Sequence, residues 1–319
     1  MNCKSPRNPC EMKLGATLAL DDNASKQADL CGLLEQMKRD GFNTVNFYGL
    51  EHVRASWETL FAALDRLQMQ AVVRIEDYGA GFSFSAQEDV PDVLSRYQAL
   101  LDWVCTPDHR SRVAYFALNM PVDDGRVTGP LGGVNSPDCR RRQVEYAASL
   151  VSAMRMETHR RGFSTAKLYL SVFYGWDNTY DVPSYAAAGA DGYFLNNYSY
   201  PAEHLHAPTL PCTDEELINR RRLSVAVEKY RSQYPGMPLI AEFGFHTLEY
   251  NHGQWPGQTA GLVGDRPSKE QAIRATLDFY ETVPEFRGYL YFGYNLYKEE
   301  GEPPAVMDWA LRYPEEDAV

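Results

Sequence analysis

Short apolar and β-branched runs alternate along this chain with longer runs whose apolar residues recur at helical spacing. The alternation starts at residue 13 and continues to the last predicted helix, residues 305–312. Strands that alternate with amphipathic helices are typical of parallel βα units, in which helices cover the faces of a sheet. The hydrophobic pattern therefore predicts an α/β fold.

The pattern contains eight predicted strands and eight predicted helices. Gly41 and Gly189 follow two of the helices, and Pro137 takes a first helical position, which are boundary signals. The strands cover residues 13–20, 43–49, 71–77, 112–120, 167–174, 192–198, 238–244 and 288–294. The helices cover residues 24–40, 57–67, 91–104, a segment opened by Ser136-Pro137, 183–188, 214–234, 269–282 and 305–312.

Eight βα units in 319 residues match the size of one closed barrel. We therefore predict a single (β/α)₈ TIM barrel over residues 13–319, preceded by an N-terminal tail over residues 1–12. An open, doubly wound sheet is the alternative, but the first strand-to-helix turn has no G-x-G-x-x-G sequence.

Alternate residues of a barrel strand face the helices or the barrel interior. On strand three, the apolar neighbours Val73 and Ile75 should face the helices, which directs Arg74 and Glu76 inward. The same alternation on strand seven directs Glu242 inward. On the other strands it directs inward Asn46, Tyr48 and either Asn196 or Asn197.

Active sites of such barrels lie at the carboxyl ends of the strands. Polar residues that fall at or near these ends are Arg74, Glu76, Asn119, Asp177, Asn197, Glu242, His246 and Asn295. Tyr48, Trp176 and Tyr198 add aromatic surface that could stack on a sugar ring, although large barrels also bury tyrosine. Two interpretations stay open: a functional site, or an interior filled by Arg74 paired with Glu76 or Glu242.

Net charge excludes several classes of partner. A charge of −12 is unfavourable for binding nucleic acid or an anionic membrane. The sequence has no apolar run of membrane-spanning length and no N-terminal apolar region typical of a signal peptide, so we expect a cytoplasmic protein.

The six cysteines lack metal-site spacing, and the His204-x-His206 pair lies in a proline-rich loop. We therefore expect neither a metal nor another cofactor.

Strand seven carries a family resemblance. The sequence Pro-Leu-Ile-Ala-Glu-Phe-Gly at 238–244 resembles strand seven of retaining (β/α)₈ glycosidases of the cellulase/mannanase clan. The loop with Trp-Pro-Gly-Gln at 255–258 is also similar. Strand four ends in Asn119-Met120-Pro121, where the clan has Asn-Glu-Pro. The resemblance implies that Glu242 is the nucleophile and that Asn119 bonds the sugar 2-hydroxyl group.

Two departures from the clan concern the same site. Met120 stands where the clan has its acid/base glutamate, and a thioether cannot transfer a proton. The arginine of the clan's strand two is absent; Asn46 lies near its place, and Arg74 could reach the same space.

Glycoside hydrolysis normally needs two carboxyl groups, about 5–5.5 Å apart for retention or about 6.5–9.5 Å apart for inversion. Candidates for the missing acid are Glu76, Asp177 and the loop residue Asp123 or its neighbour Asp124. Strand alternation favours Glu76, which should lie across the barrel at the wider spacing. Asp123 could restore the retaining distance.

The sequence thus predicts a glycosidase-like enzyme for a glycoside or small oligosaccharide, with Glu242 as nucleophile or base. One alternative is a barrel that lost its acid and binds a glycan or metabolite. Another is a scaffold that performs a different carboxylate-dependent reaction in biosynthesis. The expected partner is a small molecule or oligosaccharide, and the oligomeric state is not indicated.

Overall fold

A computed structural model of the chain describes residues 12–20, 29–76, 81–122, 124–175, 178–197, 210–244, 246–247, 262–263 and 266–292. Eight strands close into one barrel in which every neighbouring pair is parallel. The strands are β1 (Lys13–Ala19), β2 (Thr44–Tyr48), β3 (Gln70–Ile75), β4 (Val113–Leu118), β5 (Leu168–Phe173), β6 (Gly192–Asn196), β7 (Leu239–Phe243) and β10 (Phe286–Tyr291). Around the barrel they follow the order β1, β10, β7, β6, β5, β4, β3, β2. The predicted (β/α)₈ TIM barrel is confirmed.

The helices largely fall where the periodicity predicts them. The long helix predicted after β4 begins at Pro137, and the side chain of Ser136 accepts a hydrogen bond from the Cys139 N–H. Among the described residues, no helix is long and apolar enough to cross a membrane. The α-helices are α1 (Leu30–Arg39), α2 (Trp57–Leu67), α3 (Asp89–Val104), α4 (Pro107–Arg110), α5 (Gly125–Thr128), α6 (Pro137–Arg160), α7 (Asp214–Leu217), α8 (Arg220–Gln233) and α9 (Arg266–Glu281).

The predicted helix over 214–234 is wrong in one respect, because it is two helices. Ile218 is extended between α7 and α8, and Asn219 caps α8 by accepting a hydrogen bond from the Arg222 N–H at 3.0 Å. An asparagine cap offers the backbone an alternative to continuous helix. The predicted loop over 245–268 also contains a short strand pair, β8 (His246–Thr247) and β9 (Leu262–Val263), while the predicted helix over 305–312 lies outside the described residues.

The predicted helix over 183–188 is also wrong. The structure has a short 3₁₀ turn, Ala186–Ala188, and no α-helix in the described residues between β5 and β6. Side chains from α6 and from the carboxyl end of α8 form hydrogen bonds with this segment instead. Gln233 donates to the Val182 carbonyl, the Tyr234 hydroxyl accepts from the Tyr185 N–H, and the Tyr185 hydroxyl donates to Gln143. Tertiary contacts therefore replace the helical hydrogen bonds here.

Two apolar layers confirm the predicted strand alternation. The larger layer lies between strands and helices and contains Val73, Ile75, Leu239, Ala241 and Phe243. The smaller layer fills the barrel interior, as expected for side chains of opposite parity. It consists of Val72, Tyr115, Ala117, Phe194, Ile240 and Leu290.

Closure of the barrel requires glycine at one point. Gly288 on β10 has φ +143°, and a Cβ there would lie 2.1 Å from the Lys13 carbonyl oxygen on β1. No other residue type tolerates both the backbone conformation and this approach.

Buried tyrosines make the barrel sensitive to alkali. Burial raises the pKa of Tyr169 and of Tyr193 from 10 to about 12. Because these folded-state values are raised, unfolding releases protons above about pH 10, and stability should fall from there to about pH 12. We expect the 295 nm absorbance of these tyrosines to rise together with loss of the far-ultraviolet circular dichroism. Tyrosines of the denatured chain, as control, should titrate near pH 10. A single transition near pH 10 with the circular dichroism intact would contradict the prediction.

Candidate active site

Arg74 lies at the centre of the polar residues in the barrel. It points inward from β3, and its side chain is only 4% exposed. Its Nη1 atom donates to the Glu242 Oε2 atom at 2.7 Å, and its Nε atom forms an ion pair with the Glu76 Oε2 atom. Glu242 is 1% exposed and Glu76 is 14% exposed. One guanidinium group thus holds two carboxylates.

The two carboxylates come from opposite sides of the barrel, because three strands separate β3 from β7 in either direction. Shared contact with one guanidinium nevertheless keeps Glu76 and Glu242 within about 10 Å of each other, a limit that includes the spacings of both retaining and inverting pairs. The topology therefore does not force a wide separation. Arg74 reaches Glu242 from β3 and not from β2.

Further contacts fix Glu76. The Asn119 Nδ2 atom donates to its Oε1 atom at 2.8 Å, while its Oε2 atom forms the ion pair with Arg74. Its backbone N–H donates to the Tyr97 hydroxyl at 3.0 Å. The same hydroxyl lies 2.9 Å from the Glu51 Oε1 atom and can donate to it. Burial and the negative charge of Glu51 raise the pKa of Tyr97, which keeps it a hydroxyl group.

Sequence reasoning did not identify Tyr97 or Glu51. Tyr97 lies on the buried face of α3, where an aromatic residue indicates core packing, and Glu51 lies in a 3₁₀ turn after β2. Only the approach of α3 to the end of β3 reveals that the Tyr97 hydroxyl contacts both Glu76 and Glu51.

Aromatic rings surround the guanidinium. The Cζ atom of Arg74 lies 5.9 Å from the centre of the Tyr48 ring and 5.6 Å from that of Phe194, within range of cation–π attraction. Tyr48 is 37% exposed and is the accessible ring of the two. Below them, burial and the charge of Glu242 raise the pKa of Tyr115. The sequence analysis did not single out Phe194 or Tyr115.

At the end of β4, the side chains of Asn119 and Met120 point to opposite sides of the strand. Asn119 continues the inward side of the strand and bonds Glu76, whereas Met120 is buried in the apolar layer between barrel and helices. The Met120 N–H donates to the Ser171 Oγ atom at 2.6 Å. Met120 is therefore a core side chain.

The end of β6 resolves the choice between Asn196 and Asn197. Asn196 shares the inward side with Phe194, and its buried Oδ1 atom has no hydrogen-bond partner among the described residues. Asn197 donates its backbone N–H to the Glu242 carbonyl at 3.0 Å, but its side chain lies beside Tyr280 of α9. Burial raises the pKa of the Tyr280 hydroxyl, and the nearby Asn197 side chain offsets part of this rise. Asn197 therefore points towards the helices.

Several predicted site residues lie outside the described residues: Asp123, Trp176, Asp177, Tyr198 and Asn295. For His246 the structure describes only the backbone, in β8. Within the described residues, no three His, Cys, Asp or Glu side chains are grouped in a way that could hold a metal ion.

Comparison with known proteins gives a fold and no family. No family model matches the chain, and no curated protein matches its sequence. Among solved structures, a family 1 β-glucosidase from Thermotoga maritima has a TM-score of 0.54 at 12% identity, over 89% of this chain and 88% of that one. A rice β-glucosidase in covalent complex with Glc has a TM-score of 0.54 at 10% identity, over 89% of both chains.

A β-glucuronidase from Ruminococcus gnavus has a TM-score of 0.54 at 12% identity. The match covers 88% of this chain but 42% of that one, so this chain spans less than half of the bacterial enzyme. At such identities the comparisons establish that the barrel has the fold of these glycosidases.

Replacing Arg74 should destabilise the barrel strongly. In Arg74→Met the guanidinium is lost while two buried carboxylates remain, so we expect the free energy of unfolding to fall by about 3–5 kcal/mol. Urea unfolding followed by fluorescence measures it. Arg66→Met is the control, because Arg66 forms a 2.8 Å ion pair with Glu35 at the surface and should matter by less than about 1 kcal/mol. Equal effects of the two changes would show that the buried contacts contribute nothing.

Removing the Tyr97 hydroxyl should loosen the end of β3. Tyr97→Phe leaves the Glu76 N–H without its acceptor, and we expect a loss of about 1–3 kcal/mol in the free energy of unfolding. A double-mutant cycle with Glu51→Gln tests the second contact. Strict additivity of the two changes would show that Tyr97 and Glu51 do not interact.

Proposed function

We propose that this protein is a glycosidase-like enzyme that acts on a glycoside or small oligosaccharide, with Glu242 as nucleophile or general base. The observation that carries the proposal is the contact of Glu242, at the carboxyl end of β7, with Arg74 inside a barrel that has a glycosidase fold. Carboxyl ends of barrel strands are where catalytic residues of this fold lie. The Glu-Phe-Gly sequence at the same position supports the same role.

The environment of Glu242 suits a carboxylate that must attack or accept a proton. Arg74 fixes one oxygen, and the Asn197 N–H fixes the backbone carbonyl. As nucleophile, the Glu242 carboxylate would bond to the anomeric carbon while the bond from that carbon to the leaving oxygen breaks. The leaving oxygen must then receive a proton from an acid, and water would later release the sugar.

The acid is one of three carboxyl groups: Glu76, Asp123 or Asp177. One oxygen of Glu76 accepts a hydrogen bond from Asn119, and the other forms an ion pair with Arg74. To donate a proton, Glu76 would have to give up one of these contacts. We therefore rank Asp123 and Asp177 ahead of Glu76 for the acid and assign Glu76 to holding Arg74 and Asn119.

The second candidate function is binding of a glycan or metabolite without hydrolysis. The position of Met120 favours it, because a thioether in the apolar layer supplies no proton at position 120. The polar contacts among Arg74, Glu76 and Asn119 would serve a binding site equally well.

The decisive variant is Glu242→Gln, which keeps the size of the side chain and removes its charge. On a panel of 4-nitrophenyl glycosides, we expect the rate of cleavage to fall by about 10³-fold or more. Glu285→Gln is the matched control. Glu285 is also a nearly buried, ion-paired glutamate, 3.1 Å from Arg231, but its carbonyl bonds the first residue of β7, at the opposite end of the barrel.

Cleavage that survives in Glu242→Gln would disprove the proposed role of this residue. If no glycoside is cleaved by the unaltered protein but oligosaccharides raise its melting temperature, the binding function replaces the enzymatic one.

A further inference from the structure

The positive charge of Arg74 is already engaged in two ion pairs, which bears on the charge of the substrate. One positive group contacts two negative groups, and all three side chains are mostly buried. The other inward-facing cation of the described strands, Lys13, lies at the amino end of the barrel against Gln70. Among the described residues, the positive charge inside the barrel at its carboxyl end is thus already bound to carboxylates from two strands.

An incoming carboxylate would have to compete for the same guanidinium. It would displace Glu76 or Glu242 from Arg74, and the displaced carboxylate would remain beside it in a poorly solvated place. Like charges at such distances repel appreciably when little water separates them. A neutral sugar avoids this cost, because its hydroxyl groups can donate to the carboxylate oxygens.

Hydrogen-bond acceptors elsewhere in the barrel also favour a ligand that carries donor groups and no carboxylate. The Oδ1 atom of Asn46, on a fully buried side chain facing inward from β2, has no hydrogen-bond partner among the described residues. The same holds for the Oδ1 atom of Asn196 on β6. Buried acceptors need donors, and sugar hydroxyl or amino groups supply them.

We infer that the site, if the proposed function holds, selects neutral or amino sugars and discriminates against uronic acids. Glu76 is the residue that sets this preference, because it occupies the Nε side of Arg74 while Glu242 occupies the Nη1 atom. The inference rests on the proposed function and adds the charge of its substrate.

The test uses pairs of ligands that differ by one carboxylate. The first pair is deoxynojirimycin and its uronic derivative, and the others are 4-nitrophenyl glucoside with glucuronide and galactoside with galacturonide. Calorimetry measures binding of the deoxynojirimycin pair, which has no glycosidic bond to cleave, and kcat/KM compares the members of the nitrophenyl pairs. We expect the member without the carboxylate to bind at least about tenfold more tightly, or to have a kcat/KM at least about tenfold higher.

Variants identify the cause. Glu76→Gln keeps the side chain's size but frees Arg74 of one carboxylate, so the preference should shrink by about threefold or more. Glu242→Gln provides a second variant if the first fails to fold. Glu285→Gln, at the opposite end of the barrel, should leave the preference unchanged.

The outcomes separate the two proposals. Equal or tighter binding of the uronic members overturns the inference while the proposed function stands. An unchanged preference in both site variants overturns the assignment to the Arg74 ion pairs. If no member of any pair binds or is cleaved, the proposed function fails and the inference fails with it.

Discussion

The site depends on one constraint: a guanidinium group buried in the barrel must be paired. Arg74 satisfies it with carboxylates from β3 and β7, on opposite sides of the barrel. A single side chain thereby sets the relative positions of Glu76 and Glu242. Asn119 and Tyr97 bind Glu76 in turn, which extends the network to β4 and α3. Because a buried charge without its partner is costly, the network is expected to form as a whole.

Period-two alternation explains why the sequence could predict the centre of this network. Apolar neighbours of Arg74 and Glu242 must face the helices, so the charged residues can only face inward. Alternation does not predict the structure of segments that have no regular hydrophobic period. The segment at Tyr185 is decided by contacts with other elements, which a local pattern does not contain. The break at Asn219 comes from a local cap, in which the Asn219 side chain accepts a hydrogen bond from the Arg222 N–H.

Motif comparison and strand alternation give different information about position 120. The resemblance to the clan implies that Met120 stands in place of an acid, which stays a prediction. In the structure its neighbour Asn119 faces inward, and Met120 packs among apolar side chains outside the barrel. Strand alternation, applied to β4 from Ala117 onward, contained this information. Tyr97 and Glu51 carried no comparable signal, because their roles arise from the approach of elements far apart in sequence.

The fold itself leaves the substrate's charge undetermined. Structures named β-glucosidase and β-glucuronidase match this barrel equally well, with TM-scores of 0.54. A protein named for an uncharged sugar and one named for an acidic sugar thus share the scaffold, so the proposed preference rests on side chains and not on the fold. Under that proposal, Arg74 would anchor an anionic sugar only if its charge were left for the ligand. Its two carboxylate partners instead make the positive charge part of the protein's own structure.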